Sequence, residues 1–154
     1  MLLRKAQNSD IPALLELLKH VNLVHHIGRP DLFDIGTKYT SSELETLLAD
    51  PKRPVFVAEE DGRVLGYCFG IHEQILNDNI RTPIKTLYID DLCVDERSRG
   101  KGIGRSLYNY AVDYARENGF YNVTLNVWEC NESAKRFYES LGMQIQKTGM
   151  ETIL

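Results

Sequence analysis

The sequence predicts an α+β fold built on one largely antiparallel sheet with a parallel βαβ step. Three observations carry this prediction. Helix-patterned segments precede a run of strand-patterned ones, a tight hairpin signal lies between two of the strands, and a glycine-rich turn joins a third strand to a long helix. At 154 residues the chain is large enough to bury a core without disulfides or metals. No repeat or Pro/Gly/Ser-rich linker interrupts it, so one domain over residues 1–154 is expected.

The elements follow in order. "NSDIPALLELLKHV" starts with Ser9 or Asp10 as a helix cap and places Pro12 in the tolerated first turn. Leu14, Leu15, Leu17, Leu18 and Val21 then form a broad apolar face. "VHHIGRPDLFDIG" reads as irregular. In "TSSELETLLAD", Thr40 and Glu43 make a capping box and Pro51 stops the helix. "PVFVAEEDGRVLGYCFGIH" reads as two strands around Asp61-Gly62, residues suited to a turn that needs positive φ at both positions.

"NDNIRTP" is a polar connection, and "IKTLYIDDLCV" is a third strand that carries two consecutive carboxylates, Asp90 and Asp91. A helix follows the glycines, with Ile103, Leu107, Ala111, Tyr114 and Ala115 at helical spacing and Gly119 placed to end it. "FYNVTLNVW" alternates as a strand, "ESAKRFYESL" is a short helix closed by Gly142, and "MQIQKTGMETIL" reads as one or two last strands.

Between the third strand and its helix lies "RSRGKGIGRS", with glycines at 100, 102 and 104 among Arg97, Arg99, Lys101 and Arg105. Unpaired N–H groups at a helix start attract anions, and glycine lets a ligand approach the main chain. The spacing fits no P-loop, because Arg105 stands where that motif needs lysine. Nor does it fit the dinucleotide fingerprint, whose third glycine would also fall at Arg105.

The spacing Arg99-x-x-Gly102-x-Gly104, between a strand ending at Val94 and a helix, resembles motif A of the GNAT superfamily of N-acetyltransferases. Downstream, Asn131, Ala134, Phe137, Tyr138 and Gly142 resemble its motif B, so the likeness spans about residues 86 to 145. It implies a three-layer α/β/α fold, a mixed, mostly antiparallel sheet with helices on both faces. It also implies an acetyl-CoA-dependent N-acetyltransferase that passes an acetyl group directly to a primary amine of a small molecule or peptide, with no metal.

By this likeness, Arg99, Gly100, Lys101, Gly102, Ile103, Gly104 and Arg105 would grip the diphosphate of acetyl-CoA. Leu92, Cys93 and Val94 would hydrogen-bond its pantetheine through their main chain, and Asn131 would bond pantetheine or the main chain. Tyr138 stands where many members place the general acid for the thiolate, against the alternative of a packing tyrosine. In a regular strand Asp90 and Asp91 point to opposite faces, with Tyr88, Asp90, Leu92 and Val94 together. Asp90 is therefore the first candidate base, with ammonium binding or an ion pair as its other readings, and a bulge would swap the faces.

His25, His26, Arg29 and Asp31 either line the acceptor pocket or are ordinary loop groups. The acidic strand and the net charge of -4 point to a cationic acceptor. That charge also argues against broad nucleic-acid binding, which needs Lys and Arg to neutralise phosphates. Without 18 consecutive apolar residues or a signal-like start, a soluble cytoplasmic protein with no membrane partner is expected. Cys68, Cys93 and Cys130 are widely spaced and read as incidental thiols, and no histidines stand at zinc-ligand spacing. Exposed strand residues near the C-terminus would support a homodimer. A non-catalytic acyl-CoA sensor and a nucleotide- or RNA-binding module are the rival readings.

Overall fold

The computed structural model describes all of residues 1–154. Five strands lie in chain order: β1 (Leu2–Lys5), β2 (Val55–Glu60), β3 (Arg63–Gln74), β4 (Lys85–Val94) and β5 (Asn122–Leu125). β1 through β4 pair antiparallel, and β4 pairs parallel with β5. The parallel step needs a crossover, and α3 (Ile103–Glu117) supplies it. The remaining helices are α1 (Ile11–Gly28), α2 (Ser41–Ala49) and α4 (Glu132–Ser140).

Strand alternation divides the core between the two faces of the sheet. Val55, Val57, Tyr67, Phe69 and Cys93 meet Leu14, Leu17, Leu18, Leu44 and Leu47 of α1 and α2. Phe56, Ala58, Cys68, Leu87 and Ile89 meet Ile103, Leu107, Ala111 and Ala115 of α3. The three layers are thus helices, sheet and helix, the α+β arrangement that the likeness implied.

Several local signals act as their chemistry demands. Thr40 Oγ1 accepts from the Glu43 amide while the Glu43 carboxylate accepts from the Thr40 amide, which starts α2. Asp61 and Gly62 take φ values of 52° and 77°, the paired left-handed turn that the β2–β3 hairpin needs.

Four sequence expectations change. β1 was not foreseen; a four-residue edge strand has too few alternations to register. It is held by Arg4, whose guanidinium bonds both Asp10 and Glu59. α1 runs on through His25 and His26 to Gly28, where irregular chain was expected. The glycine is the last helical residue, and the Arg29 amide closes the end by bonding the His25 carbonyl.

The expected last strands do not form: residues 143–154 carry no regular structure. A strand needs a ladder partner, and this segment instead crosses to the end of α1, where Glu151 pairs with Arg29 at 2.5 Å. A cavity of about 360 Å³, bordered by Tyr108, Phe120 and Met143, remains between α3 and the chain after α4. No C-terminal strand is present to carry the expected homodimer. The fourth change lies in β4 and shapes the candidate site.

Candidate active site

Along β3 and β4, Phe69 pairs with Asp91 and the next residue, Gly70, pairs with Ile89. Asp90 is left opposite no residue, a bulge that reverses the alternation beyond it. Leu87 and Ile89 face α3 before the bulge, and Leu92 and Val94 face α3 after it. The expected grouping of Asp90 with Leu92 and Val94 is therefore corrected. Asp90 and Asp91, expected on opposite faces, both reach the α1/α2 side.

The two carboxylates have different company. Asp90 Oδ2 accepts from Lys38 Nζ at 2.7 Å and from the Tyr39 hydroxyl at 3.2 Å. Arg53 Nη2 in turn donates to that hydroxyl at 3.0 Å. Asp91 Oδ2 accepts from the Tyr67 hydroxyl at 2.8 Å. Burial raises the Asp91 carboxyl to a pKa of about 6, with the Tyr67 hydrogen bond and Lys38 opposing and Asp90 adding. Lys38, Tyr39, Arg53 and Tyr67 were not picked out from sequence. They come from a loop, a turn and a core strand, and no motif marks them.

β5 pairs with β4 only as far as Ile89. From Asp90 to Val94, β4 has no partner strand on that side, so Leu92, Cys93 and Val94 present main chain to an unpaired edge. The Cys93 side chain points the other way into the α1 core, and burial pushes its thiol up to about 12. At neutral pH it is a protonated packing group and no nucleophile. Cys68 is buried likewise, and Cys130 is exposed.

The glycine segment follows this edge. Asp95 accepts from the Arg97 amide and starts a single 3-10 turn over Glu96–Ser98. Gly100 and Gly102 then take φ values of 77° and 78°, and left-handed Gly102 is the N-cap of α3. The first internal bond of α3 runs from the Ser106 amide to the Gly102 carbonyl. The six amides from Gly100 to Arg105 donate to no atom of the protein. Arg99, Lys101 and Arg105 have exposed side chains around them. The turn is open, its donors unsealed, and the helix dipole places partial positive charge there.

α4 docks across this helix start. A Cβ built on Gly104 would stand 3.1 Å from Phe137 Cζ, so glycine permits the contact. Arg105 Nη2 reaches the Ser140 carbonyl at 3.4 Å. Asn131 Oδ1 accepts from the Ala134 amide at 3.2 Å, which makes its oxygen a helix cap. Next to Phe137, the Tyr138 hydroxyl makes no hydrogen bond within the chain. Burial, then the nearby Cys68, Asp91 and Cys93, hold its phenol above the ordinary tyrosine range. Tyr138 is therefore protonated at neutral pH and in electrostatic reach of Asp91.

The α1–α2 connection closes the other side. His25 packs on Phe33 with ring centroids 5.1 Å apart, and Phe33 meets Trp128 edge-on at 5.4 Å. His26 Nδ1 lies 2.5 Å from the Phe33 carbonyl, while Arg29 is taken up by Asp31 and Glu151. Of the loop residues singled out from sequence, His25 thus belongs to an aromatic wall and Arg29 and Asp31 form an ion pair. No three His, Cys, Asp or Glu side chains gather closely enough to hold a metal ion.

Comparison with known proteins returns the same architecture. The profile of the acetyltransferase (GNAT) family matches residues 21–143. The L-amino acid N-acyltransferase MnaT of Escherichia coli is 28% identical over 94% of this chain and 80% of its own length. The L-methionine sulfoximine/L-methionine sulfone acetyltransferase of Salmonella typhimurium is 29% identical over 94% of this chain and 81% of its own. Among solved structures, a tetramutant of the BH1408 protein of Bacillus halodurans superposes with a TM-score of 0.95, at 33% identity and full coverage of both chains.

Proposed function

The chain belongs to the acetyltransferase (GNAT) family and is an acetyl-transferring enzyme, and from that premise we propose that it moves the acetyl group of acetyl-CoA directly onto a primary amine. The observation that carries this reading is the row of six unpartnered amides, Gly100 to Arg105, at the start of α3. Such a row suits a diphosphate, because each N–H can donate to an anionic oxygen without breaking an internal bond. Arg99, Lys101 and Arg105 add screened attraction. The free edge from Leu92 to Val94 offers main-chain donors and acceptors to an extended amide-bearing arm.

Bound there, acetyl-CoA supplies an activated acyl group as a thioester. The protein's own contribution is orientation, which can supply as much as ~7–11 kcal/mol, together with proton management. An aliphatic amine arrives as an ammonium and must lose a proton before it can attack. Asp91, with a pKa of about 6, is ionised at neutral pH and matched to that task. The base role expected of Asp90 passes to Asp91, because Asp90 is already engaged by Lys38 and Tyr39. Tyr138 Oη holds a proton that it can donate to the departing sulfur. The Asn131 oxygen holds the turn that delivers Tyr138.

Relatives named as transferases favour catalysis over a sensor that binds and does not react. The test is release of free thiol from acetyl-CoA across a panel of amines, with acetyl-CoA affinity measured alongside by calorimetry. Amine-dependent thiol release is the expected result. Tight binding with no release above background by any amine contradicts the reading.

A further inference from the structure

The carboxylates of β4 invite a polycationic acceptor, yet the side chains around them argue otherwise. Asp90 faces two cations, Lys38 at 2.7 Å and Arg53 through the Tyr39 hydroxyl. Asp90 is nearly enclosed, its side chain 15% exposed, while the Lys38 side chain is 42% exposed. The negative charge is thus at the bottom of the cluster and the positive charge at its mouth. Lys38 Nζ spends one donor on Asp90 and has two more. Arg53 Nε is buried and has no partner at all.

Resting on the transferase reading, we propose that the acceptor is a zwitterion: an amino acid with an apolar side chain, its carboxylate read by Lys38 and its ammonium set against Asp91. A polyamine would have to approach an exposed lysine. The surroundings agree on the side chain. His25, Phe33 and Trp128 form the aromatic wall, and Val24 and Leu32, their chain neighbours, and Ile35 are exposed apolar residues of the same segment. Two links run from the wall toward Asp90, one through Tyr88, whose phenol feels the Asp90 charge, and one through Lys38, which bonds Asp90. Asn126, two residues before Trp128, bonds the Tyr88 hydroxyl, and Lys38 lies near enough to help depress His25 basicity, after burial. Lys38 is a specificity residue, since its ammonium would touch the substrate and no reacting atom.

Matched acceptor pairs test this: L-phenylalanine against phenylethylamine, and L-methionine against 3-(methylthio)propylamine, with spermidine and glucosamine 6-phosphate as rivals. Thiol release should give kcat/KM about tenfold or more higher for each acid than for its carboxylate-free partner. Lys38→Met should erase most of that ratio through KM, whereas Lys38→Arg should keep it. Equal rates within the pairs, or preference for spermidine or the sugar phosphate, overturns the zwitterion proposal and leaves the transferase reading standing. A ratio untouched by Lys38→Met also overturns it. Thiol release with no member of the panel, despite acetyl-CoA binding, overturns both.

Discussion

Tyr67 donates a 2.8 Å hydrogen bond to Asp91, joining a fully buried ring of β3 to the carboxyl proposed as the base. This contact stabilises the ionised carboxylate, while burial of the same group favours the protonated form. The balance stands at a pKa of about 6. Turnover should therefore fall as pH drops through that value, because a protonated Asp91 cannot accept the amine proton. In Tyr67→Phe the opposing hydrogen bond is gone, the Asp91 pKa rises further, and the acidic limb of the pH–rate profile should move to higher pH. A limb that stays in place removes Asp91 from the rate.

The same group makes a stability prediction of definite sign. Its folded pKa is raised from 3.8 to about 6, so the folded state holds its proton more tightly than the unfolded one. Stability from this group is fully present below the unfolded value and is lost as pH rises through the folded one. Above it the cost is at most about 3 kcal/mol. Asp91→Asn should raise the thermal midpoint at pH 8, with the gain shrinking as pH falls through about 6, where wild-type Asp91 takes up its proton, and gone below the unfolded value of 3.8. Its turnover should fall at the same time.

Tyr138 separates chemistry from binding. Tyr138→Phe keeps the ring beside Phe137 and removes only the hydroxyl, which makes no bond within the protein. Turnover should drop by about a hundredfold or more if the phenol delivers the proton to sulfur. Acetyl-CoA affinity, read by calorimetry, should change little. An unchanged rate assigns Tyr138 to packing.

Gly102 tests the anion loop. Its φ of 78° is left-handed, and a Cβ built there meets no atom of the protein. The cost of Gly102→Val within the chain is thus backbone strain of about 1–2 kcal/mol, with no steric clash. Against a bound diphosphate the same side chain would project beside the amides that hold it. Acetyl-CoA should bind about tenfold or more weakly, while the thermal midpoint falls modestly. Normal affinity in a folded variant contradicts the loop assignment.

The features legible in sequence are those whose cause is local. Thr40 and Glu43 cap a helix from three residues apart, Asp61-Gly62 is a turn by its own torsional preference, and the glycines between β4 and α3 need only their missing Cβ atoms to be recognised. Periodicity sorted the layers, since a residue's face depends on its immediate neighbours. Hence the α+β class, the parallel step and the family likeness were readable before any coordinate.

What only the tertiary structure decided depends on residues far apart in the chain. One unpaired residue opposite the Phe69–Gly70 step turned Asp91 toward Tyr67 and left Asp90 with Lys38, a partner 52 positions away. Alternation predicts faces only while the ladder keeps register, and register is a property of two strands together. The C-terminal segment failed as a strand for the same reason: its composition permits extension, but pairing requires a neighbour, and Glu151 found Arg29 instead. The amino-acid order thus set the scaffold and the open glycine turn, whereas the charge arrangement around Asp90 and Asp91 emerged only when α1, α2 and the sheet were packed together.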